Sequence, residues 1–225
     1  MSQPAARVAS RLVVSLLLLG GVVVLVLPLA VLVRRNWPPL TRLDTAVTAA
    51  AERAGHDVDG LLSLARVLTY LGDPWLLTAA SALLAVALVM VGAPRLAAYV
   101  ATARVAAALL SPVLKAIVGR DRPLFDEPVA AAFGPSFPSG HALGAATFWP
   151  VLFVVLLAVV LTRPRWRWGA GVAAGVIIAI VAGSRVVLGV HYLSDVLAGV
   201  LIGLALAAIC TVAFEVRGRP ADSGR

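Results

Sequence analysis

The chain has 225 residues, of which 61% are hydrophobic and 13% charged, with a formal charge of +8 and one cysteine. Soluble domains carry about 45–50% apolar and about 25% charged residues, so a water-soluble globule is excluded, as are a disordered chain, a collagen repeat and a disulfide scaffold. In a soluble protein the positive excess would suggest a polyanionic partner; here the charges sit between apolar runs, which favours topology signals and lipid headgroups and makes nucleic acid an unexpected partner.

The first apolar run covers residues 12–33, preceded by Arg7 and Arg11 and followed by Arg34 and Arg35. A bilayer crossing takes about 20 residues, so this run can span, and it lacks the short apolar region and small-residue cleavage site of a signal peptide. It reads as an uncleaved first helix. Residues 36–73 are the main polar interruption, with Leu43, Val47, Ala50, Ala54, Val58, Leu61, Leu64 and Leu68 at near-helical spacing. That pattern predicts one or two amphipathic helices at the membrane surface, ended by Asp73 as the cap of a helix that starts at Pro74 and Trp75. His56, among acids and a glycine, reads as a solvated loop histidine.

Further spans are predicted over 75–91, 96–118, 142–161, 169–188 and 192–214. A turn at Gly92, Pro94 and Arg95 separates the second from the third, and a Pro/Gly-rich loop precedes the fourth. Arg163, Arg165, Trp166, Arg167 and Trp168 form a basic aromatic belt before the fifth, and Arg217, Arg219 and Arg225 follow the sixth. Cys210 reads as an inert packed thiol. The fold class is therefore all-α: a polytopic bundle of six transmembrane helices with a surface amphipathic segment over 34–74, forming one membrane-embedded domain over 1–225.

Arg7, Arg11, Arg95, the 163–167 cluster and the tail arginines fall on the side of the termini, which the positive-inside rule makes cytoplasmic. Parity then places the end of the third span, the start of the fourth, the end of the fifth and the start of the sixth together on the non-cytoplasmic face. The unusual polar residues lie at those four ends, within residues 115–195.

His191 and Asp195 are four apart, a spacing that on a helix puts both side chains on one face. The carboxylate can orient the imidazole and leave its other nitrogen nucleophilic; a buried polar pair between helices, or half of a metal site, are the alternatives. Pro138-Ser139-Gly140-His141 reads as a helix start with Ser139 as the cap. Unpaired N–H groups and Gly140 there would accept an anion beside His141 as proton donor, unless this is an ordinary helix start with an interfacial histidine. Lys115 and Arg122, seven apart, align if the third span continues to Gly119 or slightly beyond, and Arg185 adds a third cation. The trio suits a phosphoryl group without a metal, against the alternative of cations snorkelling at helix ends. Continuous helix would put Arg185 and His191 about 240° apart, so a turn permitted by Gly183 and Gly189 is expected between them. Arg104, three turns before Lys115 on nearly the same face, reads as a structural polar contact and stays outside the site; Glu215 lies too near the opposite end to be its partner.

Lys-x6-Arg-Pro at Lys115–Pro123, Pro-Ser-Gly-His at Pro138–His141 and Ser-Arg-x5-His-x3-Asp at Ser184–Asp195 together resemble the type 2 phosphatidic acid phosphatase family, in the wider group that includes vanadium-dependent haloperoxidases and glucose-6-phosphatase. The resemblance implies that His191 attacks phosphorus to form a phosphohistidine, oriented by Asp195, while His141 protonates the leaving oxygen. It implies that Lys115, Arg122, Arg185, Ser139 and the Gly140 backbone hold the phosphoryl oxygens, with no cofactor and no divalent metal. Six spans argue against haloperoxidase activity and favour a lipid phosphate substrate: phosphatidate, phosphatidylglycerophosphate, or a polyprenyl mono- or diphosphate. A lipid phosphotransferase, or a non-enzymatic lipid-binding protein or transporter, are the other readings. Membrane lipids are the expected surroundings, and the Ala/Val/Arg-rich composition hints at a bacterial cell membrane. Small residues on the spans permit packing within or between chains, which leaves the oligomeric state open.

Overall fold

In a computed structural model of the protein, which describes residues 3–125, 133–159 and 164–216, every regular element is helical. In chain order these are α1 (Gln3–Arg34), α2 (Pro38–Asp57), α3 (Leu61–Leu68), a 3-10 turn (Thr69–Gly72), α4 (Pro74–Met90), α5 (Pro94–Val118), α6 (Gly140–Val159), α7 (Pro164–Val187) and α8 (Leu193–Ala213). Five helices are long and apolar enough to cross a membrane, or six if α3 with its 3-10 turn and α4, bent by 41° at their junction, count as one span. The protein is thus a multi-pass membrane protein with the expected helical architecture.

Local sequence explains the boundaries. Proline opens α2, α4 and α5, where its missing N–H costs nothing and its fixed φ already suits a helix. Asp73 caps α4 as expected, its Oδ1 accepting from Trp75 N (2.9 Å) and Leu76 N (2.8 Å). Gly119 ends α5 at φ 65°, a left-handed conformation that favours glycine. The α7–α8 turn forms at Gly189 (φ 66°), while Gly183 stays inside α7.

On α1, Leu12, Leu16, Leu17 and Val24 are each at least 60% exposed. Holding a side chain of this kind in water forfeits about 1.5–3 kcal/mol, so that face is built for lipid. Its other face packs through Val26, Leu29, Ala30 and Val33 on Ala198 of α8 and Phe137. A second core cluster, around Tyr99, Val100, Ala103, Val151, Val155, Ala207 and Cys210, joins α5, α6 and α8, and the Cys210 thiol is buried and free.

The segment after α1 forms the expected two helices, but the first of them departs from a purely surface position. The segment comprises α2, α3 and the 3-10 turn, and α2 buries polar Asp44 (1% exposed) and Thr48 against the bundle. The physical reason is pairing: Asp44 finds three donors in α8 and the 119–125 segment, as described below. His56 lies in the last turn of α2 rather than in a loop, where its Nε2 contacts Glu52 Oε1 at 3.0 Å and the side chain stays 41% exposed. The third chain segment also departs from expectation, because Gly119 stops α5 before Arg122. Lys115 and Arg122 therefore share no helix face.

Contacts identify which helix ends meet. Arg34 Nη1 donates to Ile117 O (2.8 Å), and Ser139 N donates to Asp195 O (2.9 Å), which brings the ends of α1 and α5 and the starts of α6 and α8 to one face. At the other face Glu215 pairs with Arg11 and, at 3.4 Å, with Arg95. Arg163, Arg217, Arg219 and Arg225 lie outside the described residues, as does the expected end of the fourth span at residue 161.

The seam between α6 and α8 depends on two glycines. A Cβ on Gly199 would stand 2.6 Å from the Ser139 carbonyl oxygen, and one on Gly203 would stand 2.5 Å from that of Leu143. Gly→Ala inside a helix ordinarily stabilises by about 0.4–1 kcal/mol. Backbone atoms cannot swing aside as a side chain can, so Gly203→Ala is expected to destabilise by about 1–3 kcal/mol instead. Gly175→Ala, with nothing within 4 Å of its Cβ, should be neutral or stabilising. Thermal unfolding in detergent checks this, and a Gly203→Ala midpoint at or above the parent's would contradict it.

Candidate active site

A cavity of about 750 Å³ opens at the face where α5 ends and α6 and α8 begin, and reaches down between α4 and α5. Lys115, Arg122, Gly140, His141, Arg185 and His191 all line it. Of the eight residues singled out from sequence, only Ser139 and Asp195 stand behind the wall, both fully buried. Among the described residues no three His, Cys, Asp or Glu side chains converge as metal ligands would.

His191 and Asp195 meet by a different route from the one the spacing suggests. Tyr192 is the N-cap of α8, so His191 precedes the helix and Asp195 is its third residue. Asp195 Oδ2 accepts from the Tyr192 backbone N–H at 3.0 Å, the acidic half of a capping box, and the same oxygen faces His191 Nδ1 at 3.4 Å. That second separation is an ion-pair distance, long for a hydrogen bond.

Arg122 favours one tautomer of His191. Its Nη1 lies 3.3 Å from His191 Nε2, and a guanidinium can only donate, so Nε2 presents its lone pair and Nδ1 carries the hydrogen toward Asp195. Burial holds the His191 imidazole well below the ordinary histidine range, to about 4; the Asp195 carboxylate opposes this shift, while Arg185 and Arg122 add to it. The ring is neutral at pH 7, with its unprotonated Nε2 against Arg122 at the cavity wall.

Backbone carbonyls place the cations. Arg122 Nε donates to Gly134 O (2.9 Å) and its Nη1 to Val190 O (2.7 Å), which ties the 119–125 segment to the α7–α8 turn. Lys115 Nζ donates to Pro135 O, and Arg122 Nη2 reaches the same oxygen at 3.5 Å. The shared Pro135 carbonyl thus brings together the two cations that helix geometry leaves apart. Arg185 Nη1 donates to Thr69 Oγ1 (2.9 Å) in the 3-10 turn, while its buried Nε has no partner. An orphaned buried donor costs about 1–3 kcal/mol, more when charged, unless a ligand satisfies it.

Ser139 caps α6 loosely, its Oγ accepting from Ala142 N at 3.4 Å, and the Phe137–Pro138 peptide before it is cis. Gly140 gives the cavity a wall of bare backbone at the start of α6, where N–H groups favour an anion. His141 Nε2 faces the second oxygen of the Asp73 carboxylate at 3.9 Å. Arg104 also reaches the cavity wall, yet its Nε and Nη2 donate to Thr78 Oγ1 (2.9 Å) and Pro74 O (2.8 Å), a polar contact between α4 and α5.

Sequence reasoning missed three residues that touch the His191–Asp195 pair or its support. Arg120 Nη1 donates to Asp195 Oδ1 (2.8 Å) and Ser194 Oγ (2.7 Å), and its Nη2 donates to Asp44 Oδ2 (2.7 Å). Asp44 Oδ1 accepts from Ser194 N (3.0 Å), and its Oδ2 accepts from Ser194 Oγ (2.5 Å). Arg120 falls between the residues of the Lys-x6-Arg-Pro pattern, and Asp44 sits on a helix read as amphipathic. Neither carries a local signal.

The sequence also compares with known proteins. The chain is 41% identical over 98 residues to phosphatidylglycerophosphatase B of Bacillus subtilis, a match covering 44% of this chain and 48% of that protein. It is 40% identical over 68 residues to undecaprenyl-diphosphatase of Sulfolobus acidocaldarius, covering 30% of this chain and 28% of that protein. These alignments span half or less of the length of the curated relatives. Its fold matches the crystal structure of a transmembrane PAP2 type phosphatidylglycerolphosphate phosphatase from Bacillus subtilis with a TM-score of 0.76 at 27% identity, covering 88% of this chain and 96% of that one. The PAP2 superfamily model matches residues 96–219, a stretch that holds all eight of the site residues named from sequence, and the chain belongs to that superfamily.

Proposed function

We propose that the protein is a membrane phosphatase that hydrolyses the phosphomonoester or pyrophosphate of a lipid through a phosphohistidine, without a metal. The observation that carries this reading is the His191 imidazole, neutral and with its unprotonated Nε2 at the wall of a cavity that also holds Lys115, Arg122 and Arg185. Similarity to phosphatases named for phosphatidylglycerophosphate and undecaprenyl diphosphate supports a lipid substrate. So does a cavity that runs down between two membrane helices past Thr78 and Ala108. The site opens on the non-cytoplasmic face, with the termini in the cytoplasm, as the arginine distribution of the short connections supports.

In the first step His191 Nε2 forms a bond to phosphorus as the bond to the lipid oxygen breaks, and His141 gives that oxygen a proton. The positive charge that develops on His191 is balanced through Nδ1–H by Asp195. In the second step water adds to phosphorus with its proton passing to His141, and the P–N bond breaks to release phosphate and restore both histidines. Lys115, Arg122, Arg185, Ser139 and the Gly140 N–H stabilise the equatorial oxygens in both steps. The donor set suits this role, since guanidinium and ammonium groups neutralise a phosphoryl group where a two-metal site would need clustered carboxylates.

His191→Ala is expected to lower phosphate release at least 1,000-fold with a chelator present, measured on phosphatidate, phosphatidylglycerophosphate and polyprenyl mono- and diphosphates. Vanadate, a mimic of the five-coordinate transition state, should inhibit the parent. Activity that survives in His191→Ala would overturn the mechanism. Activity abolished by the chelator and restored by one divalent ion would overturn the metal-free reading. Phosphate delivered to an alcohol instead of water would make the protein a transferase.

The depressed pKa of His191 also fixes a pH dependence. A buried neutral histidine binds its proton more readily in the unfolded chain, so its contribution to stability falls as pH drops from about 6.5 toward about 4. Between pH 7 and 4.5 the unfolding midpoint of the parent should therefore fall more steeply than that of His191→Gln. Parallel curves would mean that His191 titrates as an ordinary histidine.

A further inference from the structure

Two arginines bracket the His191–Asp195 pair: Arg122 meets the far nitrogen of the imidazole, and Arg120 meets the far oxygen of the carboxylate. Arg122 belongs to the family pattern and faces the cavity, whereas Arg120 is turned away from it, with its side chain 10% exposed. Its guanidinium lies between two carboxylates, Asp44 and Asp195, and stacks 4.0 Å from the centroid of the Tyr192 ring. Asp44 is itself 1% exposed, and its two oxygens take the N–H and O–H of Ser194, the residue directly before Asp195. It lies on α2, outside the residues that match the superfamily.

This arrangement exceeds what packing needs. Burying two carboxylates with one guanidinium is costly, and hydrophobic residues of similar volume would often hold α2 against α8 as well or better. What hydrophobic residues cannot do is orient a carboxylate. With Oδ1 taken by Arg120 and Oδ2 by the Tyr192 N–H, Asp195 has one direction left for Oδ2, toward His191 Nδ1. Because Asp44 neutralises part of the Arg120 charge, Asp195 keeps enough negative field to balance the imidazolium-like charge that develops on attack. Removing Asp44 would leave Arg120 to draw on Asp195 alone, which weakens the pull of Asp195 on the Nδ1 hydrogen.

We propose that Asp44 and Arg120 are positioning residues that hold Asp195 in the orientation and charge state that fix the Nδ1–H tautomer of His191, so that a helix outside the superfamily segment sets the reactivity of the nucleophile. The inference rests on the phosphatase reading for its kinetic consequence and on geometry alone for the tautomer. Charged and titratable groups facing His191 are Asp195 from α8, Arg185 from α7 and Arg122 from the 119–125 segment, with Lys115 of α5 and His141 of α6 on the same cavity.

The chain has three histidines, so ¹⁵N-histidine spectra of the full-length protein in detergent can follow each ring. The parent is expected to show His191 in the Nδ1–H form, and Asp44→Asn and Arg120→Gln should convert it to a mixture of tautomers. With phosphatidylglycerophosphate, both variants should lose at least about tenfold in kcat with KM within about twofold. In a cycle with Asp195→Asn, each double variant should lose no more than Asp195→Asn alone, because the effect runs through that carboxylate. If Asp44→Asn does not fold, Ser194→Ala removes only the shared hydroxyl and should show a smaller shift of the same kind. Variants that unfold at lower temperature but keep the parent tautomer and kcat would overturn the proposal, as would additive losses in the cycle. A parent with no His191-dependent activity would overturn the phosphatase reading instead, and the tautomer spectra would still decide the positioning role.

Discussion

A backbone hydrogen bond from Ser139 N–H to the Asp195 carbonyl, 2.9 Å long, joins the two segments that carry His141 and His191 at the point where α6 and α8 begin. It can form only because Gly199 and Gly203 let the helices approach to backbone contact, the same close approach that small residues give membrane helices generally. Once the two helix starts are locked, His141 and His191 line one cavity, with Gly140 at the start of α6 beside them. Nothing in α6 or α8 is charged at this seam except Asp195 itself. The apolar seam therefore carries the stability, and the polar residues at its end are free to be arranged for chemistry.

That arrangement obeys an electrostatic constraint. Four cations, Arg104, Lys115, Arg122 and Arg185, line one cavity in a low-dielectric bundle and repel one another, and water cannot screen them as it does at a soluble surface. The structure answers in two ways. Neutral carbonyls of Gly134, Pro135 and Val190 take part of the charge of Lys115 and Arg122, and two carboxylates oppose the rest: Asp195 behind His191, and Asp73 on the cavity wall beside His141. Neither answer saturates the donors, since Arg185 Nε stays unpartnered. The cavity wall thus carries more cations than carboxylates, a balance that suits an anion.

Much of this was legible in the sequence because the chemistry needs rare residues in a lipid-like composition. Lys115, His141, Arg185, His191 and Asp195 stand out against apolar runs, and span parity places them on one face. Legibility failed where contact depends on three-dimensional routes. Gly119 breaks the helix that would have aligned Lys115 with Arg122, and the two meet instead through Pro135 O. His191 and Asp195 meet through a helix cap and not along a helix face. Arg120 has the local sequence of an interfacial arginine and Asp44 that of a solvated acid on an amphipathic helix; only the packing of α2 on α8 distinguishes them.

The break at Asp73 shows how the same logic extends along the cavity. A continuous helix over residues 61–90 would have buried all its backbone groups in its own ladder and offered the cavity nothing polar. Bending by 41° at Asp73 turns the start of α4 toward His141, places Thr69 against Arg185, and leaves Pro74 O free for Arg104. Each of these polar groups would be expensive in lipid, and each is satisfied by a charge that would itself be expensive alone. Trp149 Nε1 donates to Leu71 O (2.9 Å), which ties the bend to α6 and so to the seam with α8. The break is therefore not slack in an otherwise regular bundle: it exchanges helical hydrogen bonds for a polar part of the cavity wall.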